Sequence, residues 1–174
     1  MFKRGVSPVI ATVLLLVITV VLASIIFAFV IPFVNKSLGN SQACLNVLDG
    51  VEFPESKFNC WNASASVVGA NETGFSVKIK KEGVSGFRIA LIDENEQSDV
   101  KEVKLGALTV DALRMVLGTA YGQPLEIPSV GGQRTYVINK KYVKAEISPV
   151  TEDGNVCAVA DVVEFSHCAR DVVF

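Results

Sequence analysis

Histidine and the common catalytic motifs are nearly missing from this chain of 174 residues. His167 is the single histidine, and the sequence has no His-Glu-x-x-His motif, no nucleophile elbow and no glycine-rich phosphate loop. A lone histidine without a partner pattern is expected at the surface or in packing, rather than as a general base. The sequence therefore predicts a protein that is not an enzyme and that needs no cofactor.

Basic clusters are also scarce. The formal net charge is −2. Basic residues gather only in Lys78-Ile79-Lys80-Lys81 and in Lys140-Lys141, and both stretches lie in alternating patterns that indicate a solvated strand face. Nucleic-acid binding needs a basic patch or stripe, so the sequence predicts no nucleic-acid partner.

Charged side chains are absent from Gly5 to Asn35. Within that stretch, the apolar run from Val9 to Val34 is interrupted only by Thr12, Thr19 and Ser24. As a helix the run would span roughly 39 Å at about 1.5 Å per residue, which exceeds the ~30 Å hydrocarbon core of a bilayer. Pro32 lies near its end, where we expect the chain to leave the helix or kink. The segment is expected to reside in a membrane for part of the protein's life.

Three interpretations of this segment compete. A secretory signal peptide has an apolar region of about 7–15 residues that ends in small residues, whereas this run is longer and closes with the bulky stretch Phe29 to Phe33. An uncleaved signal anchor fits the positive-inside rule, because Lys3 and Arg4 would hold the N-terminus in the cytoplasm. The third interpretation places a cleavage between Gly5 and Val6, so that the hydrophobic helix survives in the mature chain.

The residues at this junction carry a family resemblance. Lys3-Arg4-Gly5 is followed by Val6-Ser7-Pro8-Val9-Ile10-Ala11-Thr12, and the string resembles the N-terminal domain of archaeal type IV pilins, with Ser7-Pro8-Val9-Ile10 as its distinctive core. The resemblance covers about the first 34 residues. Proteins of that family carry a class III signal, which is a short basic leader ending in Gly or Ala.

One departure separates this chain from the bacterial pilins. Bacterial type IV pilins have a Glu at the fifth mature position, which here is Ile10. The absence of Glu argues against the bacterial family, and it makes docking of subunits by charge pairing at this position unavailable.

The resemblance implies a processing site at Lys3, Arg4, Gly5 and Val6, with a membrane aspartic peptidase cutting after Gly5. It further implies assembly by a cytoplasmic ATPase and a membrane platform protein into a homopolymer held by the N-terminal helix. The expected organisation is a leader at 1–5, a hydrophobic helix at 6–34, a polar turn-rich linker at 35–43 and an extracellular domain at 44–174.

Alternating apolar and polar residues dominate the outer part of the chain. The pattern predicts strands at 75–80, 87–91, 100–105, 125–127, 135–138, 143–147, 156–159 and 161–165. Turn signals recur about every ten residues, among them Asp153-Gly154. They favour an antiparallel β-sandwich, immunoglobulin-like in a loose sense. Residues 109–117 are the exception, since Thr109 could cap a short helix with Asp111 in its first turn.

Four cysteines, Cys44, Cys60, Cys157 and Cys168, lie in this outer part. Structural zinc draws on tight Cys-x-x-Cys spacings, which are absent here, and an even number of cysteines beyond a membrane favours disulfides. Three connectivities are possible. Nearest-neighbour pairing, Cys44 with Cys60 and Cys157 with Cys168, would fasten the entry and exit of the domain. Free buried thiols are the alternative.

Three Asn-x-Ser/Thr sequons begin at Asn35, Asn62 and Asn71. Their density near the start of an exported domain suggests N-glycosylation, while the alternative is ordinary polar loops. The stretch from Asp93 to Asp99 gathers acidic side chains, but it lacks the glycine and terminal Glu of an EF-hand, so a solvated hairpin loop is favoured over a calcium site. Trp61 is expected in the core against a disulfide, and Tyr136 and Tyr142 are expected as strand aromatics.

Together these patterns predict an N-terminal hydrophobic α-helix followed by a mainly-β outer domain, with pilin-like architecture. The function implied is that of a structural subunit of a surface filament that first resides in the cell membrane and then exposes its β-domain for adhesion or cell contact. The alternative is a single-pass, membrane-anchored extracellular binding domain that does not polymerise.

Overall fold

The computed structural model describes residues 8–63, 71–104, 110, 112–116, 120–170, 172 and 174. The chain divides into two compact units, Met1–Gln42 and Ala43–Phe174. We call the second unit the outer domain.

The first unit is helical throughout its described residues. Helix α1 spans Pro8–Ile25, a π-helical turn covers Ile26–Val30, and α2 runs over Ile31–Asn46. Pro32 has no N–H, and its ring conflicts with the carbonyl four residues earlier, at Ala28. That carbonyl lies in the π-helical turn, and π-bulges are one of the recognised ways in which a helix accommodates such a conflict. The helix therefore passes through Pro32, where the sequence predicted an exit or a kink.

The predicted linker at 35–43 is wrong as a description of the backbone, because these residues belong to α2. The polar stretch contains no proline, and Gly39 is its only strong helix breaker. The Ser41 hydroxyl donates to the carbonyl oxygen of Ser37 at 2.9 Å, one turn earlier. The change to polar residues after Val34 marks the end of the apolar surface, while the helix itself continues to Asn46.

Ten strands build the described part of the outer domain. They are β1 Val51–Glu52, β2 Cys60–Ala63, β3 Asn71–Ile79, β4 Val84–Ile92, β5 Ser98–Lys104, β6 Leu113–Met115, β7 Gln133–Ile138, β8 Lys144–Thr151, β9 Asp161–Glu164 and β10 Ser166–His167.

Two sheets contain these strands. The first has the order β10-β2-β3-β7-β6, with β1 also paired to β3, and the second has the order β5-β4-β8-β9. Every strand pair is antiparallel except β10 with β2, which is parallel. A long apolar helix followed by a mainly antiparallel β domain confirms the predicted fold class.

Aromatic and branched side chains from both sheets form the core. The first sheet contributes Phe75, Val77 and Ile79 from β3 and Tyr136 and Ile138 from β7. The second sheet contributes Phe87, Ile89 and Leu91 from β4 and Ala145 and Ile147 from β8. The rings of Phe87 and Tyr136 meet across the two sheets at 5.4 Å between centroids. Contacts of this kind identify the outer domain as a sandwich.

A thin additional layer covers the outer face of the first sheet. Phe58, Val172 and Phe174 cluster there with Cys60 and Cys168. A Cβ placed on Gly74 of β3 would lie 2.3 Å from Cε1 of Phe174 and 2.6 Å from the carbonyl oxygen of Phe58. The absence of a side chain at Gly74 allows the Phe174 ring to pack against the sheet.

The cysteines form two disulfides, which confirms the prediction of an oxidised domain. The pairs are Cys44 with Cys157 and Cys60 with Cys168, so the nearest-neighbour connectivity is wrong. Strand order decides the second pair: β10 lies parallel to β2 with Ser166 opposite Cys60, and this places Cys168 beside it. Neighbouring strands of a sheet can be far apart in sequence, so the spacing of cysteines along the chain does not predict which of them pair.

Three local expectations also fail. The helix predicted at 109–117 is replaced in its described part by β6, because Leu113 turns into the core while Arg114 faces the other way; Thr109, Asp111 and Leu117 lie outside the described residues. Residues 125–127 and 156–159 form no strand. Only the isolated bridge between Val150 and Val156 follows the Asp153-Gly154 turn.

Candidate assembly segment and outer surface

The apolar segment, residues 8–34, exposes its side chains on every face. The structure assigns no buried residue to α1 or to the π-helical turn. Phe29 and Phe33 are 71% and 73% exposed. Within the described residues, Pro8–Asn46 is the one helix with the length and composition to cross a membrane. A helix that is apolar all round needs lipid or other helices around it.

The hydroxyl groups in the segment do not interrupt this apolar surface. Thr12, Thr19 and Ser24 each donate to a carbonyl oxygen one turn earlier, at 2.9, 2.9 and 2.7 Å. These bonds satisfy the hydroxyl donors inside the helix itself. The segment can therefore enter an apolar environment without an unpaired hydroxyl proton.

The predicted processing site, Lys3, Arg4, Gly5 and Val6, lies outside the described residues. Cleavage between Gly5 and Val6 stays a prediction.

The three sequons occupy different environments. Asn35 is exposed on α2. Asn62 is half-buried in β2, and its amide donates to the carbonyl oxygen of Val172 at 3.2 Å. The third sequon is embedded in β3, where the Thr73 hydroxyl is fully buried and donates to the carbonyl oxygen of Lys140 at 2.8 Å. Glycosylation at all three sites stays a prediction, and the folded geometry is least favourable at Asn71.

The acidic stretch from Asp93 forms the hairpin turn between β4 and β5. The Asp93 carboxylate accepts hydrogen bonds from the backbone N–H groups of Asn95 and Gln97 at 2.9 and 3.0 Å. It also accepts one from Lys140 Nζ at 2.9 Å. The Lys140 ammonium and these backbone donors hold the pKa of Asp93 below its usual value. The Asp93 carboxylate therefore has a structural role, because it closes the turn and forms an ion pair with Lys140.

The aromatic residues take mainly structural positions. Trp61 packs half-buried against the core and meets the exposed ring of His167 edge-on at 4.8 Å. Tyr136 and Tyr142 are almost fully buried, and their hydroxyls donate to the carbonyl oxygen of Glu126 and to Asp99 at 2.6 and 2.9 Å. Burial raises the pKa of both tyrosines.

A buried charge cluster escaped the sequence analysis. Glu72 accepts a hydrogen bond from the Tyr121 hydroxyl at 2.6 Å and forms an ion pair with Arg114 at 3.5 Å. The side chains of Glu72 and Arg114 are 2% and 10% exposed. Burial, followed by the bond to Glu72, raises the pKa of Tyr121 to about 12. Alternation in β3 and β6 could have placed each charge on the outer face, but no local signal joins residues so far apart.

Comparison with known proteins bears on the helix alone. Residues 4–38 match the archaeal type IV pilin N-terminal domain. The match confirms the resemblance at Ser7-Pro8-Val9-Ile10 and supports a pilin subunit, a family of structural proteins, whose apolar helix fits a membrane-anchored surface pilus. It ends inside α2, and the outer domain lies beyond it. No curated protein and no solved structure matches the chain.

Proposed function

We propose that the chain is a structural subunit of an archaeal type IV pilus-like surface filament. The observation that carries the proposal is the pilin N-terminal match over residues 4–38 on a helix with no buried side chain in its apolar segment. In this function the segment forms the filament core, and the outer domain is displayed for adhesion or cell contact. The protein acts as a scaffold and not as an enzyme.

Burial of the apolar segment supplies the drive for assembly. Each Leu, Ile or Val side chain removed from water contributes about 1.5–3 kcal/mol, and the segment exposes more than a dozen such side chains. Lipid satisfies the same drive before assembly. Transfer from lipid to filament therefore depends on packing among copies of the helix, with energy from the assembly ATPase and the platform protein.

Processing precedes assembly in this proposal. A prepilin peptidase removes residues 1–5 after Gly5, so that Val6 becomes the N-terminus of a helix inserted with that end at the cytoplasmic face. The outer domain, residues 43–174, folds outside the cell, a placement that agrees with its two disulfides. Glycans at Asn35 or Asn62 would modify this exported surface, and Asn71 is the least favoured acceptor.

N-terminal sequencing of the membrane-bound and filament forms, joined with electron microscopy of the cell surface, tests the proposal. We expect the mature chain to begin at Val6 and to be the subunit of a filament. Gly5→Phe should leave an unprocessed membrane precursor, whereas Gly39→Ala, a glycine outside the cleavage site, should be processed normally. A native chain that begins at Met1 and stays monomeric in the membrane would favour the anchored binding domain instead.

A further inference from the structure

A polar groove of about 310 Å³ opens at one end of the outer domain. Its walls come from the start of β3, the turn between β4 and β5, and the connection between β7 and β8. Three asparagines, Asn71, Asn95 and Asn139, line it together with two pairs of opposite charges. The volume lies at the lower end of the range of about 300–1,000 Å³ found for small-molecule pockets.

The groove lies away from the residues at which the outer domain begins. Strand β3 runs from Asn71 to Ile79. Ile79 pairs with Val51, shortly after the start of the domain at residue 43, whereas Asn71 pairs with Ala63 at the other end of the strand. The inference concerns the surface that a filament subunit would display, so it rests on and deepens the proposed function.

The three asparagine amides are free to bind a ligand. Among the residues that the structure describes, none accepts from or donates to the side chain of Asn71, Asn95 or Asn139. Asn95 and Asn139 are exposed, and Asn71 is half-buried. Each amide offers one carbonyl oxygen as acceptor and one NH₂ group as donor. The groove thus presents three two-way hydrogen-bonding groups from three separate segments.

The charges in the groove neutralise one another. Lys140 pairs with Asp93 at 2.9 Å, and Lys141 pairs with Glu94 at 2.7 Å. Lys141 also lies over the Trp61 ring at 4.3 Å, a cation–π contact that adds to its restraint. Two cations and two anions leave no net charge. A neutral ligand gains more here than an ion, which would have to compete with an existing partner.

Buried groups fix the backbone that carries the amides. The Thr73 hydroxyl accepts a hydrogen bond from Tyr142 N at 3.0 Å and donates to the carbonyl oxygen of Lys140 at 2.8 Å, which secures the segment after Asn139. Asp93 fixes the turn that carries Asn95. The carbonyl oxygen of Ala112, a residue with φ of 62°, accepts from Asn139 N at 3.3 Å. A fixed frame lowers the entropy lost on binding.

We propose that this groove binds a neutral carbohydrate. Sugar hydroxyls donate and accept hydrogen bonds at once, and the amide groups of Asn71, Asn95 and Asn139 match that chemistry. The absence of net charge selects an uncharged hexose unit over an acidic one. The partner of the outer domain would then be a glycan-bearing surface.

Saturation-transfer NMR on the full chain tests the groove, in phosphocholine micelles so that no sugar-based detergent competes. The probes are the methyl glycosides of mannose, galactose and glucose, with methyl glucuronide as the charged counterpart of the glucoside. We expect at least one neutral glycoside to bind, with affinity about fivefold lower in Asn95→Ala and in Asn139→Ala, the effect of one lost hydrogen bond. Gln123→Ala, an exposed amide outside the groove, should bind as the wild type does.

Salt and mass measurements complete the test. Binding of a neutral sugar should not change when salt is raised tenfold, since only charged contacts are screened. The proposal is overturned if no neutral glycoside binds, if the Asn95→Ala/Asn139→Ala double variant binds normally, or if salt-sensitive binding of the glucuronide dominates. It is also overturned if peptide mapping by mass spectrometry finds a glycan on Asn71. Thermal melting monitors folding of each variant, and both single variants should melt as the wild type does.

Filament imaging of the same variants separates the two proposals. Asn95→Ala and Asn139→Ala should still form filaments, because the groove lies outside the apolar segment. Filaments without sugar binding would refute the groove alone, and sugar binding without filaments would refute the filament alone.

Discussion

Cys60 and Cys168 are joined by a disulfide at a Cα–Cα distance of 4.9 Å, although 108 residues separate them in the chain. The bond locks β2, near the start of the outer domain, to the segment that follows β10. Cys44 and Cys157 add a second link of the same kind, over 113 residues. Both bonds close nearly the whole domain into loops, and this defines the first prediction.

Removing either disulfide should destabilise the outer domain substantially. Long closed loops restrict the unfolded chain most, and loss of a native bridge from a small secreted domain costs about 2–5 kcal/mol. We expect Cys60→Ser/Cys168→Ser to lower the free energy of unfolding by that amount in urea titrations of a truncated chain that begins at Ser41. Ser129→Ala, an exposed residue without a bridge, is the control. Equal stability of the two variants would contradict the prediction.

A charge in the apolar segment should abolish filaments. Leu16 is 62% exposed and carries part of the surface that copies of the helix must bury, and an aspartate there costs about 2.5–3.5 kcal/mol in an apolar environment. We expect Leu16→Asp to eliminate filaments in electron micrographs and to leave the outer domain's melting temperature unchanged.

The matched control for that helix variant is Val159→Asp, which places the same charge at a 49% exposed position of the outer domain. Filaments should persist in it. If a chain beginning at Ser41 formed the native filaments by itself, the helix would not be the assembly element.

Breaking the buried ion pair should cost more than removing it. Glu72→Gln leaves the Arg114 guanidinium, 10% exposed, without its charged partner, and loss of one member of a buried pair costs about 3–5 kcal/mol. The double variant Glu72→Leu/Arg114→Leu should be less destabilised than the sum of its single variants. A double-mutant cycle in urea measures this coupling, and strictly additive effects would show that the pair does not interact.

The outer domain should lose stability in acid. The pKa values of Glu52, Asp93 and Glu102 are lowered, in the first place by hydrogen bonds from Lys80, Lys140 and Lys104. Below the ordinary carboxylate pKa of about 4, the unfolded chain binds more protons than the folded one. The stability from these groups is therefore present above that pH and is lost as pH falls through the lowered values.

Melting temperature measured against pH tests this linkage. The Asp93→Asn variant should show a shallower fall between about pH 4 and pH 2 than the wild type. Glu152→Gln changes an exposed carboxylate that has no ion pair with a described residue, and it should follow the wild-type curve. A wild-type melting temperature that does not fall in acid would contradict the prediction.

The sequence predicted the helix and strands whose formation depends on residues near one another in the chain. The uncharged run from Gly5 to Asn35 identified the helix, and alternation located β3, β4, β7 and β8, because one face of each strand must be buried. The same signals failed where distant parts of the chain decide the outcome. The local sequence of residues 109–117 favours a capped helix, but pairing with β7 makes part of it strand β6. Cysteine spacing likewise cannot reveal that β10 lies beside β2.

The candidate groove likewise could not be predicted from local sequence patterns. Asn71, Asn95 and Asn139 are ordinary turn and strand-end residues in the sequence, and only the fold brings them together. Thr73 appeared as the third member of a sequon, whereas its hydroxyl in fact anchors the connection between β7 and β8. Asn71, first noted as a glycan acceptor, lines the groove.

The parallel pairing of β10 with β2 sets an order of events in folding. Residues 166–167 come long after β2 in the chain, and the first sheet cannot gain β10 as its edge strand before they are available. Contacts between distant parts of a chain carry a high loop-closure cost and slow folding. The first sheet therefore stays without this edge strand until residues 166–167 have been made. A factor that shields β2 and β3 during that interval would raise the yield of folded protein.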